Sequence, residues 1–238
     1  MAYIYEHIRT QGFEPLHFEE HYARLDTLAR KLFLAPLAIE REELQRRIGE
    51  CLRMGGYSSH TTNAVYVRYY ATGKVEIEAV EMLYNSFSLR ALRPHGYICS
   101  LSGGLLLEHT SAKEAMLELN HAISSIAKQG VPIWVNAANE VLAIDGSSVI
   151  AIFENEIRFS SVGTGVEFEH AYNIAKNMRR IISREAISIE DLPKVKELLF
   201  IDYRGITALE EFGGHRYMDI TAEKIAAKIA EKEKRNFF

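Results

Sequence analysis

The pattern of hydrophobic and polar positions predicts a strand followed by two helices at the start of the chain. Apolar and polar residues alternate from Tyr3 to Ile8, which is the period of a half-buried strand. From Phe18 to Phe33 the apolar residues instead recur every three or four positions, which predicts a helix with one buried stripe. The same spacing predicts a second helix from about Glu40 to Met54.

Beyond residue 64, short strands and helices follow one another without a regular alternation. Strands are predicted at 65–70, 74–82 and 96–101, and several more lie between 133 and 159. A helix is predicted from Lys113 to Lys128, with an inward stripe of Met116, Leu119, Ile123 and Ile126. Further predicted elements are a helix near 168–183, a strand at 198–201 and a final helix from Thr221. Because no βαβ repeat emerges, we expect an α+β fold with mixed sheets.

A cluster of small residues marks the best domain boundary. Ser102, Gly103 and Gly104 interrupt the predicted elements between a strand and a helix. We therefore expect a smaller N-terminal domain over 1–102 and a larger C-terminal domain over 103–238.

Composition narrows the class of protein. The formal charge of −4 creates no global basic field, so nucleic acid is not expected as a partner. The two cysteines, Cys51 and Cys99, form no CxxC motif, which suits a reducing cytoplasm. No stretch approaches the ~20 apolar residues of a membrane-spanning helix, and the first residues show no signal peptide. We expect a cytoplasmic protein without membrane segments.

Four separated segments carry the candidate chemistry. The first joins YEHIR at 5–9 to FEEHYARL at 18–25, where Arg24 offers a guanidinium fork suited to phosphate oxygens. The second is HTSAK at 109–113, at the predicted start of a helix. The third is DGSS at 145–148, and the fourth is YRGITAL at 203–209.

In this order and rough spacing, the four segments resemble the class IV (fold type IV) pyridoxal-phosphate enzymes, the group of aminotransferases and aminodeoxychorismate lyases. The resemblance implies a two-part fold with a cofactor cleft between the halves, a homodimer and a small-molecule amino substrate. It implies that Lys113 holds pyridoxal 5'-phosphate as a Schiff base and that Arg24 binds the cofactor phosphate. It further implies that Asp145 bonds the pyridine nitrogen and that the phosphate or substrate carboxylate contacts Gly205, Ile206 and Thr207.

The chain departs from the family pattern at several positions. Ile150 replaces the asparagine that follows the acidic residue, and the family's glycine and arginine turn is lost at 168–173. The asparagine–tyrosine pair beyond the lysine is also absent. We therefore expect an aminotransferase and keep two alternatives: a lyase-type elimination, or a scaffold of the same fold that has lost catalysis.

Two of these segments have simpler interpretations that the sequence leaves open, and part of the first matches a competing motif. Asp145 and Gly146 also fit a tight turn between two strands, and 205–207 also fits an ordinary strand edge. HFEEH at 17–21 formally matches an inverted zinc-protease motif, H-x-x-E-H. However, the change of period places His17 at or before the helix start, where its ring does not share a helix face with His21. No metal site is expected.

Overall fold

The computed structural model describes residues 1–100, 108–127 and 130–235. These residues form two compact units. The first unit contains Met1–Ser86 and Glu108–Glu114, and the second contains the remaining described residues from Phe87 onward. The predicted boundary between 102 and 103 lies outside the described residues and stays a prediction. None of the described helices combines the length and the apolar character that crossing a bilayer requires.

The first unit is a four-stranded antiparallel sheet with two helices on one face. Its elements are β1 (Tyr3–Gln11), β2 (Glu14–Pro15), α1 (Phe18–Leu32), α2 (Arg41–Met54), β3 (Thr62–Tyr70) and β4 (Val75–Val80). The strand order is β2-β1-β3-β4. Alternate residues of β1 and β3 pack against the apolar stripes of the helices, and this core includes Ile4, Ile8, Val65, Val67, Leu25, Leu28, Leu44 and Ile48. The predicted strand and two helices at the start of the chain are thereby confirmed.

The second unit contains mixed sheets with helices packed on them. Its elements are β5 (Gly96–Ser100), most of α3 (Ser111–Ala127), β6 (Val131–Val135), β7 (Val141–Ile144), β8 (Ser148–Ile152), β9 (Glu156–Ser160), α4 (Val166–Ala175), β10 (Ile181–Glu185), a 3-10 helix (Ile189–Lys194), β11 (Glu197–Asp202), β12 (Gly205–Ala208), β13 (Glu211–Phe212), β14 (His215–Arg216) and α5 (Ile220–Arg235). One sheet has the order β10-β9-β8-β11-β12, and another has the order β5-β6-β7. Each contains one parallel pair and at least one antiparallel pair, so the α+β class with mixed sheets is confirmed.

Two predictions within the second unit are wrong in detail. The helix expected near 168–183 ends at Ala175, because the chain from Ile181 pairs as β10 alongside β9. The apolar stripe expected to be buried on α3 is largely exposed: Leu119, Ile123 and Ile126 are 55%, 47% and 86% exposed.

The face of α3 that packs inward is partly polar, which explains the second error. Asn120 and Ser124 are buried, and both contact β5. The Oδ1 of Asn120 accepts from the Cys99 thiol at 3.5 Å, and the Ser124 and Tyr97 hydroxyls lie 2.6 Å apart. These hydrogen bonds turn the polar side of α3 toward the sheet and leave apolar residues outside.

Candidate active site

A buried carboxylate in the first unit is surrounded by basic side chains. Glu6 lies on β1 and points toward α1, where His21 and Arg24 are three residues apart and share a helix face. Its Oε1 accepts from Arg24 Nε at 2.6 Å, and its Oε2 lies 3.0 Å from His21 Nδ1. The Nδ1 of His109 lies 3.3 Å from Oε1, within ion-pair distance but without hydrogen-bond geometry. The cluster fixes the orientation of the Arg24 guanidinium.

The basic neighbours keep Glu6 ionised. Burial alone would raise the pKa of Glu6, but the charge of Arg24, together with the contacts of the two histidines with this carboxyl, holds its pKa well below the usual range. A permanent negative charge therefore holds the Nε of Arg24.

His109 is kept neutral in the same cluster. Its carbonyl accepts from the Tyr5 backbone N–H at 2.9 Å, and its ring stacks on the Tyr5 ring at 4.9 Å with an angle of 1° between planes. Burial, followed by the positive charges of Lys113 and Arg24, lowers the pKa of His109 to about 4, although Glu6 opposes this shift. Near neutral pH this imidazole therefore carries no charge.

Lys113 lies in the first turn of α3 and is only 5% exposed. Its backbone N–H donates to Thr110 Oγ1 at 3.3 Å, and Thr110 forms a bridge with Ile4 at the edge of β1. The positive charges of Lys113 and Arg24 both lower the pKa of His109, so both predicted residues lie in the neighbourhood of this histidine in the first unit. Their assignment to one cofactor site stays a prediction.

A second polar cluster, which the sequence interpretation missed, lies beside Lys113. The Glu114 carboxylate accepts from the hydroxyls of Tyr3, on β1, and Tyr66, on β3, the latter at 2.7 Å. Arg68 lies 4.0 Å above the Tyr66 ring. Burial, followed by the contacts with Glu114, raises the pKa of Tyr3 to about 12 and raises that of Tyr66 further. Both tyrosines therefore stay protonated and act as hydrogen-bond donors.

The structure places Asp145 in a tight turn of the second unit. Asp145 and Gly146 have φ angles of 50° and 71° and connect β7 to β8, as a two-residue hairpin requires. The Asp145 Oδ1 lies 2.6 Å from His121 Nε2, and this contact raises the pKa of His121. The simpler interpretation of this segment, a turn between two strands, is therefore confirmed. A role for Asp145 toward a pyridine nitrogen stays a prediction.

The segment 205–207 forms strand β12 of the second unit. The N–H of Ile206 donates to the Ser88 carbonyl at 3.0 Å, and the Thr207 hydroxyl accepts from Arg90 Nη1 at 3.1 Å. Gly205 has a φ of 127°, and an added Cβ would lie 2.3 Å from the Ser88 oxygen. The Ile206 N–H is therefore not the free donor that the sequence interpretation required, because a neighbouring segment already uses it.

An acidic residue begins the same hairpin. Asp202 accepts from the backbone N–H, Nε and Nη2 of Arg204, and from Ser147 Oγ at 3.0 Å. Burial raises the pKa of Asp202, but Arg204 and Arg90 outweigh it and lower the pKa overall. The Asp202 carboxylate is thus charged and neutralises the nearest guanidinium, which weakens this hairpin as a phosphate site.

The two histidines of the H-x-x-E-H motif have different environments. Helix α1 begins at Phe18, so His17 is its N-cap, with a left-handed φ of 52°. The Nδ1 of His17 lies 3.6 Å from Glu20, whereas that of His21 contacts Glu6. The expectation that His17 precedes the helix is confirmed, and the contact with Glu6 gives His21 a role that needs no metal.

Comparison with solved structures identifies the fold. No protein-family model matches the sequence, and no curated protein matches it. The chain is similar to a Legionella pneumophila protein assigned as a 4-amino-4-deoxychorismate lyase, with a TM-score of 0.78, 12% identity, and coverage of 97% of this chain and 91% of that one. It is also similar to a branched-chain aminotransferase of Thermoproteus uzoniensis, solved with norvaline, with a TM-score of 0.75, 17% identity, and coverage of 98% and 84%.

A third match is a hypothetical aminotransferase of Mycobacterium tuberculosis with bound α-ketoglutarate and PMP. Its TM-score is 0.73 at 14% identity, with coverage of 97% of this chain and 89% of that one. The chain therefore has the fold of the fold type IV pyridoxal-phosphate enzymes, and the resemblance seen in the sequence is confirmed at the level of the fold.

Proposed function

We propose that this protein is a pyridoxal-phosphate-dependent aminotransferase that acts on an amino acid through Lys113. One observation carries the proposal. In the first unit, the positive charges of buried Lys113 and of Arg24 both lower the pKa of the same histidine, His109. The donor set fits the cofactor, because an amine can bind its aldehyde and a guanidinium can bind its phosphate. The fold of the chain, shared with aminotransferases, supports the same assignment.

The residues of the first unit have distinct parts in this chemistry. When bound, pyridoxal phosphate supplies an aldehyde that condenses with amines and a ring that withdraws electrons from the substrate. Lys113 would provide the amine that holds this aldehyde, and its Nζ would accept and return a proton at the reacting centre. Arg24 would hold the phosphate while Glu6 holds the Arg24 Nε. Neutral His109 lies beside the amine without adding a further positive charge.

A lyase-type elimination would use the same residues, so the reaction follows from the substrate and its placement. We favour amino transfer, with a homodimer as the working form in a cytoplasmic setting. The exposed apolar residues Leu119, Ile123 and Ile126 on α3 support a contact with a second copy, since such a stripe is unfavourable in water. Roles for Asp145, Gly205, Ile206 and Thr207 toward the cofactor remain part of the proposal.

A catalytically inactive scaffold is the second candidate function. The second unit motivates it, because the Ile206 N–H is occupied, Asp202 is anionic and Asp145 contacts His121. A chain of this kind would keep the fold and bind a partner or small molecule without reacting with it.

An absorbance titration of the purified protein with pyridoxal phosphate separates the two functions. We expect a long-wavelength imine band that is absent in Lys113→Ala and a cofactor–lysine adduct on Lys113 after borohydride reduction. Arg24→Ala should weaken cofactor binding by roughly 1.5–3 kcal/mol, the contribution of a charged hydrogen bond. Arg30→Ala is the matched control, because Arg30 lies on the same helix in an exposed pair with Asp26. Absence of the band at saturating cofactor, or its persistence in Lys113→Ala, contradicts the proposal.

A further inference from the structure

Glu114 is held by two hydroxyls that come from different strands. Tyr66 lies opposite His7 in the β1–β3 register, and Tyr3 lies four residues before His7 on β1. Because side chains alternate along a strand, Tyr3 and Tyr66 project from the same face of the sheet. Their hydroxyls meet at the two oxygens of Glu114: Tyr3 donates to Oε2 and Tyr66 donates to Oε1. Both oxygens of the carboxylate are therefore tied to the sheet.

The phenols hold this carboxylate as hydrogen-bond donors. Both tyrosines keep their protons, since burial and the nearby carboxylate disfavour the phenolate form. The His7 ring stacks on the Tyr66 ring at 4.4 Å, which fixes the direction in which that hydroxyl points. Hydrogen bonds to a charged group are stronger and more directional than neutral ones. The contact therefore works as an anchor with a defined geometry.

This anchor and the N-cap lie on either side of Lys113. Before Lys113, Thr110 bridges to Ile4 and caps the helix through the backbone N–H of Lys113. After it, Glu114 binds the two tyrosines. The ends of helices commonly fray, yet here the first turn of α3 is tied to the sheet at two points with the lysine between them. This arrangement accounts for the burial of a long cationic side chain so close to a helix start.

We propose that Glu114 is a positioning residue for Lys113, which it keeps in its buried place through hydrogen bonds from Tyr3 and Tyr66. A reactive group must be held within about half an ångström of its working geometry, and residues around it supply that restraint. The inference rests on the proposed function for the chemistry of the amine. The placement of the amine can be measured without the cofactor.

Competitive acetylation of the cofactor-free protein tests the proposal. The rate at Lys113 is followed by peptide mass spectrometry from neutral to alkaline pH, with Lys194, which is 72% exposed, as an internal reference. In the Tyr3→Phe/Tyr66→Phe double variant we expect the Lys113 rate to rise at least about tenfold, the worth of a lost charged hydrogen bond. The pH midpoint of the Lys113 acetylation rate should also differ from that of the wild type. In Glu114→Gln, which keeps an acceptor oxygen, the acetylation rate of Lys113 should lie between those of the double variant and the wild type.

Tyr70→Phe is the matched control, because Tyr70 lies on the same strand as Tyr66 and donates to an exposed carboxylate, Glu76, at 2.5 Å. In Tyr70→Phe the acetylation rate of Lys113 should equal that of the wild type. If the double variant does not fold, Tyr3→Phe alone is measured and should still raise the rate and move the midpoint.

The proposal is overturned if folded tyrosine variants keep the wild-type acetylation rate and pH midpoint at Lys113. This holds even if the unfolding free energy of these variants is lower, because a purely structural contact would give that pattern. The result is separable from that of the proposed function. If the wild type forms no imine with pyridoxal phosphate, the proposed function is refuted. The acetylation rate of Lys113 in the cofactor-free protein still shows whether Glu114 positions the amine.

Discussion

Glu6 gives the sharpest test of the electrostatic argument in the first unit. The substitution Glu6→Gln keeps the size of the side chain and removes its charge. The Arg24 Nε at 2.6 Å and the His21 Nδ1 at 3.0 Å then lose their anionic acceptor. Glutamine can accept one of these hydrogen bonds, but its amide N–H₂ group points a donor at the other group.

The expected loss of stability follows from burial. Removing one partner of a buried ion pair costs roughly 3–5 kcal/mol, because the other charge stays in a poorly solvated place. Glu6 is 2% exposed, whereas Arg24 is 16% exposed and keeps some contact with water. We therefore expect a value near the lower end, about 3 kcal/mol, which is a large part of the 5–15 kcal/mol typical of a folded domain.

Urea unfolding followed by circular dichroism measures this change. The control is Glu43→Gln, because Glu43 pairs with Arg46 on the surface of α2 and its loss should leave the unfolding free energy unchanged. Since the folded pKa of Glu6 is depressed, its contribution is fully present above its unfolded pKa near 4.5 and is lost as the pH falls through the lower folded pKa. The difference between wild type and variant should therefore shrink only in acid. A cost below about 1 kcal/mol at neutral pH, or a difference unchanged in acid, would refute the reasoning.

Two further predictions concern stability. The unfolding free energy of the wild type should fall between pH 6.5 and about 4, because in that window the unfolded chain binds a proton at His109 and the folded protein does not. In His109→Asn this part of the pH dependence should be absent. The slope removed is at most about 1.4 kcal/mol per pH unit, measured by urea unfolding at several pH values; an unchanged slope would contradict it. Glu197→Ala should cost about 2–3 kcal/mol, because the buried carboxylate accepts from the backbone N–H groups of Thr221 and Ala222 at the start of α5. Glu197→Gln should cost less in the same assay, and equal costs would show that the charge of the cap is unimportant.

The elements of the first unit could be predicted because burial there follows a simple period. In β1 the apolar residues Ile4 and Ile8 share the inner face with Glu6, and in α1 Leu25 and Leu28 form the matching stripe. Glu6 is thus a buried charged residue between two apolar residues on the inner face of β1. Arg24, one helical turn from His21, was identified from its motif, and the structure adds the contact with Glu6 that orients it.

The second unit was harder to predict because local patterns there have more than one solution. Ile181 and Ile182 continue a helical spacing, but pairing with β9 makes them a strand. On α3 the apolar residues indicated the inner face, yet hydrogen bonds of Asn120 and Ser124 turned the polar side inward. The dipeptide at 145–146 fitted both a cofactor contact and a hairpin, and only the positive φ angles show the hairpin.

Glu114 could not be found from the sequence, because its partners are far away along the chain. Tyr3 and Tyr66 are separated from it by 111 and 48 residues, and no motif includes the three together. Only the register of β1 against β3 places the two hydroxyls side by side. A family motif can indicate a reactive lysine, but the groups that hold it are defined by strand pairing.

The energetics of the first unit support the proposal of a catalytic function over that of an inactive scaffold. Replacing a buried ion pair by well-packed apolar residues is often neutral or stabilising by about 1–4 kcal/mol, so stability alone does not explain why Glu6 is buried against Arg24 or why Lys113 is buried in the same unit. A scaffold needs no oriented guanidinium and no lysine held at a tethered helix start. In the second unit, by contrast, the charges of Asp202 and Arg204 neutralise each other locally. The proposed chemistry therefore depends on the first unit, where the burial of charged side chains is costly.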